Sequence, residues 1–423
     1  VVGEAAPVVV GTLSNRELRL HCLPSRYGAV AAIFLLAADC PNHPTGAGDH
    51  DRKGNQMKIV GIDVYDYPVR YAHGEYVMSG GRAAVYQVGT LVRVRTDEGL
   101  DGWGEITPLG STYLPTSPDA VRAGIAELAP RLVGADPTNI SAINRLMDEV
   151  LLGQGYAKSA LDIASWDIFG KSVGRPVAAL LGGVLQDDFP LYEAVPLAAP
   201  AAMAEFITER RKTGINRFQL KVGNRPAEDI ARTRACAEAG DDDTVVIADS
   251  NGGWNLLDAQ IAIGGMEGLP IYVEQPCRTT RDSILAHRNS RLPLVLDESI
   301  TNSNELFEAK YEAGAASVNI KISRVGGLTK AARMRDLMQE LNLMVSMEDM
   351  WGGDVISAAV SHLAASTRPE NLLNVSFFND WTDGHVAGYQ PRSQNGRGSA
   401  PSAPGLGITV DHSALTPPIF TTG

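Results

Sequence analysis

RFQLK at residues 217–221, TVVIAD at 244–249, IYVE at 271–274, LVLD at 294–297 and SVNIK at 317–321 are five short apolar runs, each closing on an ionisable side chain. The closing residues are Lys221, Asp249, Glu274, Asp297 and Lys321. A longer segment of helical character follows each run. The rungs recur about every 25 residues, the length of one strand plus a crossover helix and its loops. In a closed parallel barrel the C-terminal ends of all strands meet at one rim, where active sites form. Three carboxylates flanked by two lysines therefore converge on one mouth, the composition of a metal site with a base on either side.

Outward from the ladder, residues 189–379 alternate strand and helix. Strands are expected near 191–196, 217–222, 244–249, 271–274, 294–297, 317–321, 344–347 and 373–375, eight in all, as a barrel requires. Residues 57–183 open with alternating strands at 58–67 and 87–97, and EGLDGWGE at 98–105 supplies the turn. Helical periodicity follows at 119–132, 137–152 and 156–173, so this part is a segregated α+β domain. Residues 380–423 are rich in Gly, Pro and Ser and are expected to pack back on that first domain. Residues 1–56 differ from the rest. Their apolar run at 29–38 is too short to span a membrane, and the polar stretch at 39–56 has no packing pattern. They are expected to be a disordered tail or a gene-call extension, with the fold opening at Met57.

Bulk composition narrows the function. The 423 residues are 44% hydrophobic and 20% charged, an ordinary globular balance. A net charge of −12 argues against nucleic acid or an anionic membrane as partner. Four cysteines, Cys22, Cys40, Cys236 and Cys277, show no paired spacing, which fits a reducing cytoplasm and gives neither a disulfide framework nor a zinc site. TGAGDH at 45–50 is an isolated glycine-rich scrap with no Walker lysine.

One acid on a barrel rim would be read as a helix cap or an ion-pair partner. Three in succession suit a hard divalent cation, Mg2+ or in the same role Mn2+, which leaves positions for substrate oxygens. One lysine would be read as a surface group. Two at the ends of apolar strands beside a cation are candidate bases, because the nearby positive charge disfavours their protonated form. The metal would grip a substrate carboxylate and stabilise the enediolate formed when the α-proton leaves. One lysine removes that proton. The other returns it from the opposite face, or assists departure of a β-group.

QLKVG at 219–223, ADSN at 248–251, EQPC at 274–277, DES at 297–299 and KISRVGG at 321–327 resemble the enolase superfamily, in its muconate-lactonizing-enzyme subgroup. The resemblance runs from Met57 to Gly423. It implies an α/β fold, a modified TIM barrel (β/α)7β under an N-terminal α+β capping domain. It implies Asp249, Glu274 and Asp297 as metal ligands, Lys221 and Lys321 as the acid/base pair, and a homo-oligomer. VSMED at 345–349 lacks the late-strand histidine of the mandelate-racemase subgroup. The subgroup's Lys-x-Lys is here Gln219-Leu220-Lys221, which removes a cation that would have lowered the pKa of Lys221.

Substrate choice is expected to rest on Tyr113 and Trp351, whose rings would hold a cationic nitrogen by cation–π attraction. Glu348, Asp349 and Asp354 nearby favour the same charge. Asn251, Gln219 and Asp349 complete the expected lining, with Arg82 from the mobile loop 70–84, where His73 and Tyr76 also lie. FQLKVG, EQPC, WGGD and APGLGITVD are similar to proline-betaine and hydroxyproline-betaine epimerases; SGGR, TYLP and YAKS are similar to cis-3-hydroxyproline dehydratases. The resemblance implies a small carboxylate with a cationic nitrogen and, first, racemisation or epimerisation of a proline-betaine-like or N-substituted amino acid. Dehydration of a hydroxyproline is the alternative, ahead of dipeptide epimerisation and muconate cycloisomerisation. A non-catalytic ligand-binding barrel is the reading from another class, and it leaves two opposed lysines without a purpose.

Overall fold

The structure, a computed structural model, describes residues 8–14, 17–23 and 56–423. The chain divides into two compact units, Val1–Gly54 and Asn55–Gly423. In the first, Val8–Ser14 pairs antiparallel with Glu17–Leu23. The apolar run at 29–38, and the polar stretch at 39–56 up to residue 55, lie outside the described residues. No helix among the described residues is long and apolar enough to cross a membrane.

The second unit is built on eight parallel strands: β1 (Glu193–Val195), β2 (Arg217–Lys221), β3 (Val245–Asp249), β4 (Ile271–Glu274), β5 (Leu294–Leu296), β6 (Ser317–Lys321), β7 (Met344–Glu348) and β8 (Leu372–Val375). They pair in chain order. The ring closes where Leu191 pairs with Val375, the Tyr192 N–H donating to the Val375 carbonyl at 2.9 Å. This is the closed parallel barrel expected from the ladder, and the modified TIM barrel that the resemblance implies. Local chemistry starts its helices. Proline opens Pro200–Arg211 and Pro226–Glu238, while Asn255 and Thr279 cap Leu256–Met266 and Thr280–His287 by accepting from the amides of Asp258 and Asp282. Alternation along each strand does the rest. Phe218 and Leu220, Val246 and Ala248, and Val318 and Ile320 are buried in the apolar core, while Gln219 and Asn319, between the first and last pairs, are polar.

The capping sheet orders Phe420–Thr422, Ile59–Arg70, Tyr86–Thr96 and Asp101–Ile106. Helices Pro118–Leu132, Ile140–Val150 and Gly155–Ser172 pack on it. The turn expected over EGLDGWGE is shorter than the sequence suggests: it ends at Leu100, and Asp101–Ile106 is a full strand. Its glycines exist for packing. A Cβ on Gly102 would lie 2.1 Å from the Ala164 carbonyl oxygen, and one on Gly104 would lie 1.8 Å from that of Ala160. Strand and helix backbones meet directly, so glycine here marks a close approach.

Two buried acids of the capping domain hold barrel helices in place. Glu105 accepts from the amides of Gly353 at 2.7 Å and Ile356 at 2.9 Å, at the start of helix Asp354–Ala365. Asp162 accepts from the Thr329 amide at 2.9 Å, at the start of helix Leu328–Glu340. A carboxylate at a helix N-terminus satisfies orphan amides and meets the positive end of the dipole. Both helices flank the rim, one after β6 and one after β7.

Candidate active site

The register aligns Lys221 with Asp249 and Asp249 with Glu274 across β2, β3 and β4, and Lys321 with Glu348 across β6 and β7. Asp297 follows β5 directly. All six side chains are at most 5% exposed. Lys221 Nζ donates to Asp249 Oδ2 at 2.5 Å and to Gln219 Oε1 at 2.7 Å. Gln219 turns its amide the other way, Nε2 donating to Glu274 at 3.0 Å. Across the mouth, Lys321 Nζ donates to Asp297 Oδ2 at 2.5 Å and stands 3.2 Å from Glu348 Oε1. Arg324 holds Asp297 from the other side at 2.5 Å. Asn319 bridges Glu274 at 2.5 Å and Glu348 at 3.0 Å.

The charges explain the protonation. Burial alone would lower both lysines, but Asp249, Tyr76 and Glu274 raise Lys221, and Asp297 and Glu348 raise Lys321 well above the ordinary lysine value. Burial, with the charges of Asp249, Asp297 and Glu348, pushes the Glu274 carboxyl well above its usual range. Burial opposes but Arg324 and Lys321 outweigh it at Asp297, whose carboxyl falls below its usual value. Acid is thus crowded around Glu274. One carboxylate oxygen from each of Glu274, Asp297 and Glu348 lies within 4.8 Å of the others. A buried, all-oxygen set of this kind fits a hard divalent cation, whose charge would offset the burial and the carboxylate repulsion that raise Glu274.

Above these groups is a cavity of about 20 Å³ lined by both lysines, Gln219, Asn251, Tyr113, Asp349 and Trp351. The two expected bases and Gln219, Asn251, Tyr113, Asp349 and Trp351 therefore line one cavity, and Asp249, Glu274 and Asp297 are bonded to that lining. Arg82 is not in that lining: it donates through Nε to the Ser79 carbonyl at 2.9 Å and lines a neighbouring cleft that shares Asn251. Asp349 is at the cavity, yet its Oδ2 accepts from Ser323 Oγ at 2.5 Å, and burial pushes its carboxyl up to about 7. Asp354, weighed as a charge for the substrate, accepts from the amide of Ala387 at 2.7 Å and from Asn379 Nδ2 at 3.0 Å, which anchors the chain after β8.

Tyr113 and Trp351 divide the aromatic work unevenly. The chain's own cations already approach Tyr113, with Lys321 Nζ 5.6 Å and the Arg82 guanidinium 5.5 Å from the ring centre. The Tyr113 hydroxyl donates to Glu298 Oε1 at 2.7 Å. Trp351 packs instead with Tyr76, ring centres 5.3 Å apart, and Tyr76 also lines the cavity. Tyr76 belongs to the loop expected to be mobile. Several bonds tie that loop to the barrel: the Ala72 amide to the Trp381 carbonyl at 2.7 Å, the Asp383 amide to the Arg70 carbonyl at 3.2 Å, the Leu197 amide to the Val77 carbonyl at 2.9 Å, the Gly80 amide to Asn224 at 2.9 Å, and Ser79 Oγ to the Ser250 carbonyl at 3.2 Å. His73 is outside the cavity, 3.6 Å from Glu193.

Sequence reasoning passed over Arg324, Asn319 and Tyr192, whose hydroxyl donates to Glu348. Glu348 closes one more apolar run, MVSME at 344–348, but a second acid, Asp349, follows it directly.

A closed parallel barrel with carboxylates and two lysines on its rim, under an α+β cap, is the architecture of the enolase superfamily. Residues 202–414 match the enolase C-terminal domain-like family, and residues 72–182 match the mandelate racemase/muconate lactonizing enzyme N-terminal domain. The chain belongs to the mandelate racemase/muconate lactonizing enzyme family and is an enzyme of the enolase superfamily. It is 42% identical over 363 residues to the cis-3-hydroxy-L-proline dehydratase of Roseibium aggregatum, a match covering 86% of this chain and 99% of that protein. It is 30% identical over 316 residues to the N-succinyl-L-Arg/Lys racemase of Bacillus cereus, covering 74% and 85%. A mandelate racemase/muconate lactonizing enzyme from Roseovarius nubinhibens ISM superposes with a TM-score of 0.84 at 36% identity, covering 86% of this chain and 98% of that one. Another from that organism, complexed with magnesium, gives 0.84 at 32% identity, covering 86% and 100%.

Proposed function

We propose that this enzyme removes the α-proton of a small carboxylate with a cationic nitrogen and expels a β-hydroxyl, dehydrating a cis-3-hydroxyproline-type substrate. One observation carries the chemistry: two buried lysines stand at opposite ends of a row of carboxylates, Lys221 2.5 Å from Asp249 and Lys321 2.5 Å from Asp297. The substrate class is supported by the Roseibium relative, matched along 99% of its length.

Asp249, Glu274 and Asp297 are the proposed ligands of Mg2+; Glu348, one of whose oxygens lies within 4.8 Å of those of Glu274 and Asp297, also engages Lys321 at 3.2 Å. The metal supplies positive charge against the substrate carboxylate as it takes on electron density. The remaining steps belong to the chain. Each lysine is held protonated by the carboxylate it touches, so a lysine whose carboxylate is claimed elsewhere loses that support and becomes a proton acceptor. One lysine takes the α-proton, the C2–C3 double bond forms, and the C3–O bond breaks. The opposite lysine gives its proton to the departing hydroxyl, which leaves as water. Tyr76, Trp351 and the closed loop keep bulk water from the reacting carbon.

The pair of lysines also supports a second reading, epimerisation of an N-substituted proline, in which the far lysine reprotonates the α-carbon. Incubation with Mg2+ and cis-3-hydroxy-L-proline, followed by proton NMR, separates the two. Loss of the C3 carbinol signal with water release supports dehydration. Inversion with the hydroxyl retained moves the assignment to an epimerase.

A further inference from the structure

Lys321 Nζ has a partner for each of the hydrogens of an ammonium group: Asp297 Oδ2 at 2.5 Å, the Tyr113 hydroxyl oxygen at 3.1 Å and Glu348 Oε1 at 3.2 Å. Ionised carboxylates only accept. A hydroxyl accepts or donates, so Tyr113 alone among these partners could turn a hydrogen toward Nζ. Glu298 decides the direction. Its Oε1 takes the Tyr113 hydrogen at 2.7 Å. Asn251 Nδ2 donates to the same oxygen at 2.9 Å and to Asp249 Oδ2 at 2.7 Å, which braces Glu298 from the other end of the carboxylate row. The direction does not depend on the charge of Glu298. Burial and the charges of Asp297 and Asp249 raise its carboxyl to about 7, but Oε1 already meets two donors and Oε2 has no partner. A proton there sits on Oε2, and Oε1 accepts in either state.

This polarity matters to a base. An amine that is to take the α-proton needs its lone pair open. A tyrosine hydrogen aimed at Nζ would occupy that lone pair. A tyrosine oxygen instead holds one N–H bond of the neutral amine and turns the lone pair away from itself. Misplacing a reacting atom by about 1 Å costs on the order of a hundredfold in rate, so this aim bears on turnover.

We propose that Tyr113 and Glu298 are positioning residues for Lys321 acting as the base: Glu298 holds the Tyr113 hydrogen, and the Tyr113 oxygen aims the amine. The inference rests on the proposed proton transfer by the lysines. Steady-state rates and loss of the α-proton in D2O, with Mg2+ and cis-3-hydroxy-L-proline, test it on the full chain. kcat is expected to fall roughly tenfold or more in Tyr113→Phe and in Glu298→Gln, with KM within about threefold of wild type. The double variant should be no slower than the slower single one, because both changes remove one arrangement. Tyr113→Phe keeps the ring and carries the comparison if Glu298→Gln does not fold. Unchanged kcat, a raised KM with kcat retained, or losses that multiply in the double variant would overturn the proposal. Lys321→Ala should leave the α-proton in place. Loss of that proton kept in Lys321→Ala but abolished in Lys221→Ala overturns this inference and leaves the proposed reaction standing. Loss kept in both, or absent in the wild type, overturns the reaction as well.

Discussion

Gln219 links a base to a candidate ligand, its carbonyl on Lys221 and its amide nitrogen on Glu274. A carbonyl there favours the ammonium form of Lys221, and a second ammonium would oppose it. Gln219→Lys is expected to lower the kinetic pKa of that base by about one unit, worth about 1.4 kcal/mol, in the pH profile of kcat/KM. An unchanged or raised value would count against this role. Neighbouring acids separate in the same way. Asp249→Asn is expected to weaken Mg2+ affinity by roughly tenfold or more. Glu348, already engaged by Tyr192, Asn319 and Lys321, should cost far less metal affinity as Glu348→Gln. Calorimetric titration ranks the two, and the reverse order would put Glu348 in the ligand set. The five rungs are visible in sequence because period-2 alternation places each at the end of an apolar run. Glu348 is harder to single out because MED offers two adjacent acids, and only the register with Lys321 shows which aligns with the lysine. The side-chain engagement of Arg82 and Asp349 is likewise set by partners distant in the chain or by loop geometry, which no local pattern carries.

At the scale of elements, the contact between strand Asp101–Ile106 and helix Gly155–Ser172 fixes how the cap sits. Gly104→Ala would drive a methyl into the Ala160 carbonyl, and overpacking of this kind costs roughly 1–3 kcal/mol. The denaturant midpoint should fall with its slope unchanged. An unaltered midpoint would mean that the two backbones separate without cost. The same glycines hide the strand from sequence reasoning, since DGWGE carries turn composition while its conformation is dictated by a helix more than fifty residues later in the chain. Barrel strands suffer no such ambiguity. β2, β4 and β6 begin where their apolar runs begin, and β3 starts one residue inside its run, because burial on the outer face and chemistry on the inner face repeat at every strand.

Across the whole molecule, separate segments are clasped by His362. The Ala178 amide donates to its Nδ1 at 3.2 Å, and its Nε2 meets the Leu406 carbonyl at 3.0 Å, which fixes the neutral tautomer with the proton on Nε2. Burial pushes this imidazole down to about 4 from its ordinary 6.5. The folded form therefore resists a proton that the unfolded form accepts. The stabilisation is complete above about pH 6.5 and is lost as pH falls toward 4, on the order of 3 kcal/mol. Urea unfolding at pH 7 and pH 4.5 should show a larger loss for the wild type than for His362→Gln; equal losses would remove the clasp from the account. Such long-range closure, like the pairing of Phe420–Thr422 with Ile62–Val64, is set by the assembled fold and has no local signature.

The central claim is that two opposed lysines move the α-proton, and deuterium exchange at the α-carbon tests it most directly. Wild type, Lys221→Ala and Lys321→Ala would be incubated in D2O with Mg2+ and cis-3-hydroxy-L-proline or its N-methylated analogues, and followed by NMR. Exchange or elimination in the wild type, reduced by orders of magnitude in at least one folded lysine variant and in the metal-free enzyme, is the predicted result. Undiminished exchange in both variants would contradict the account.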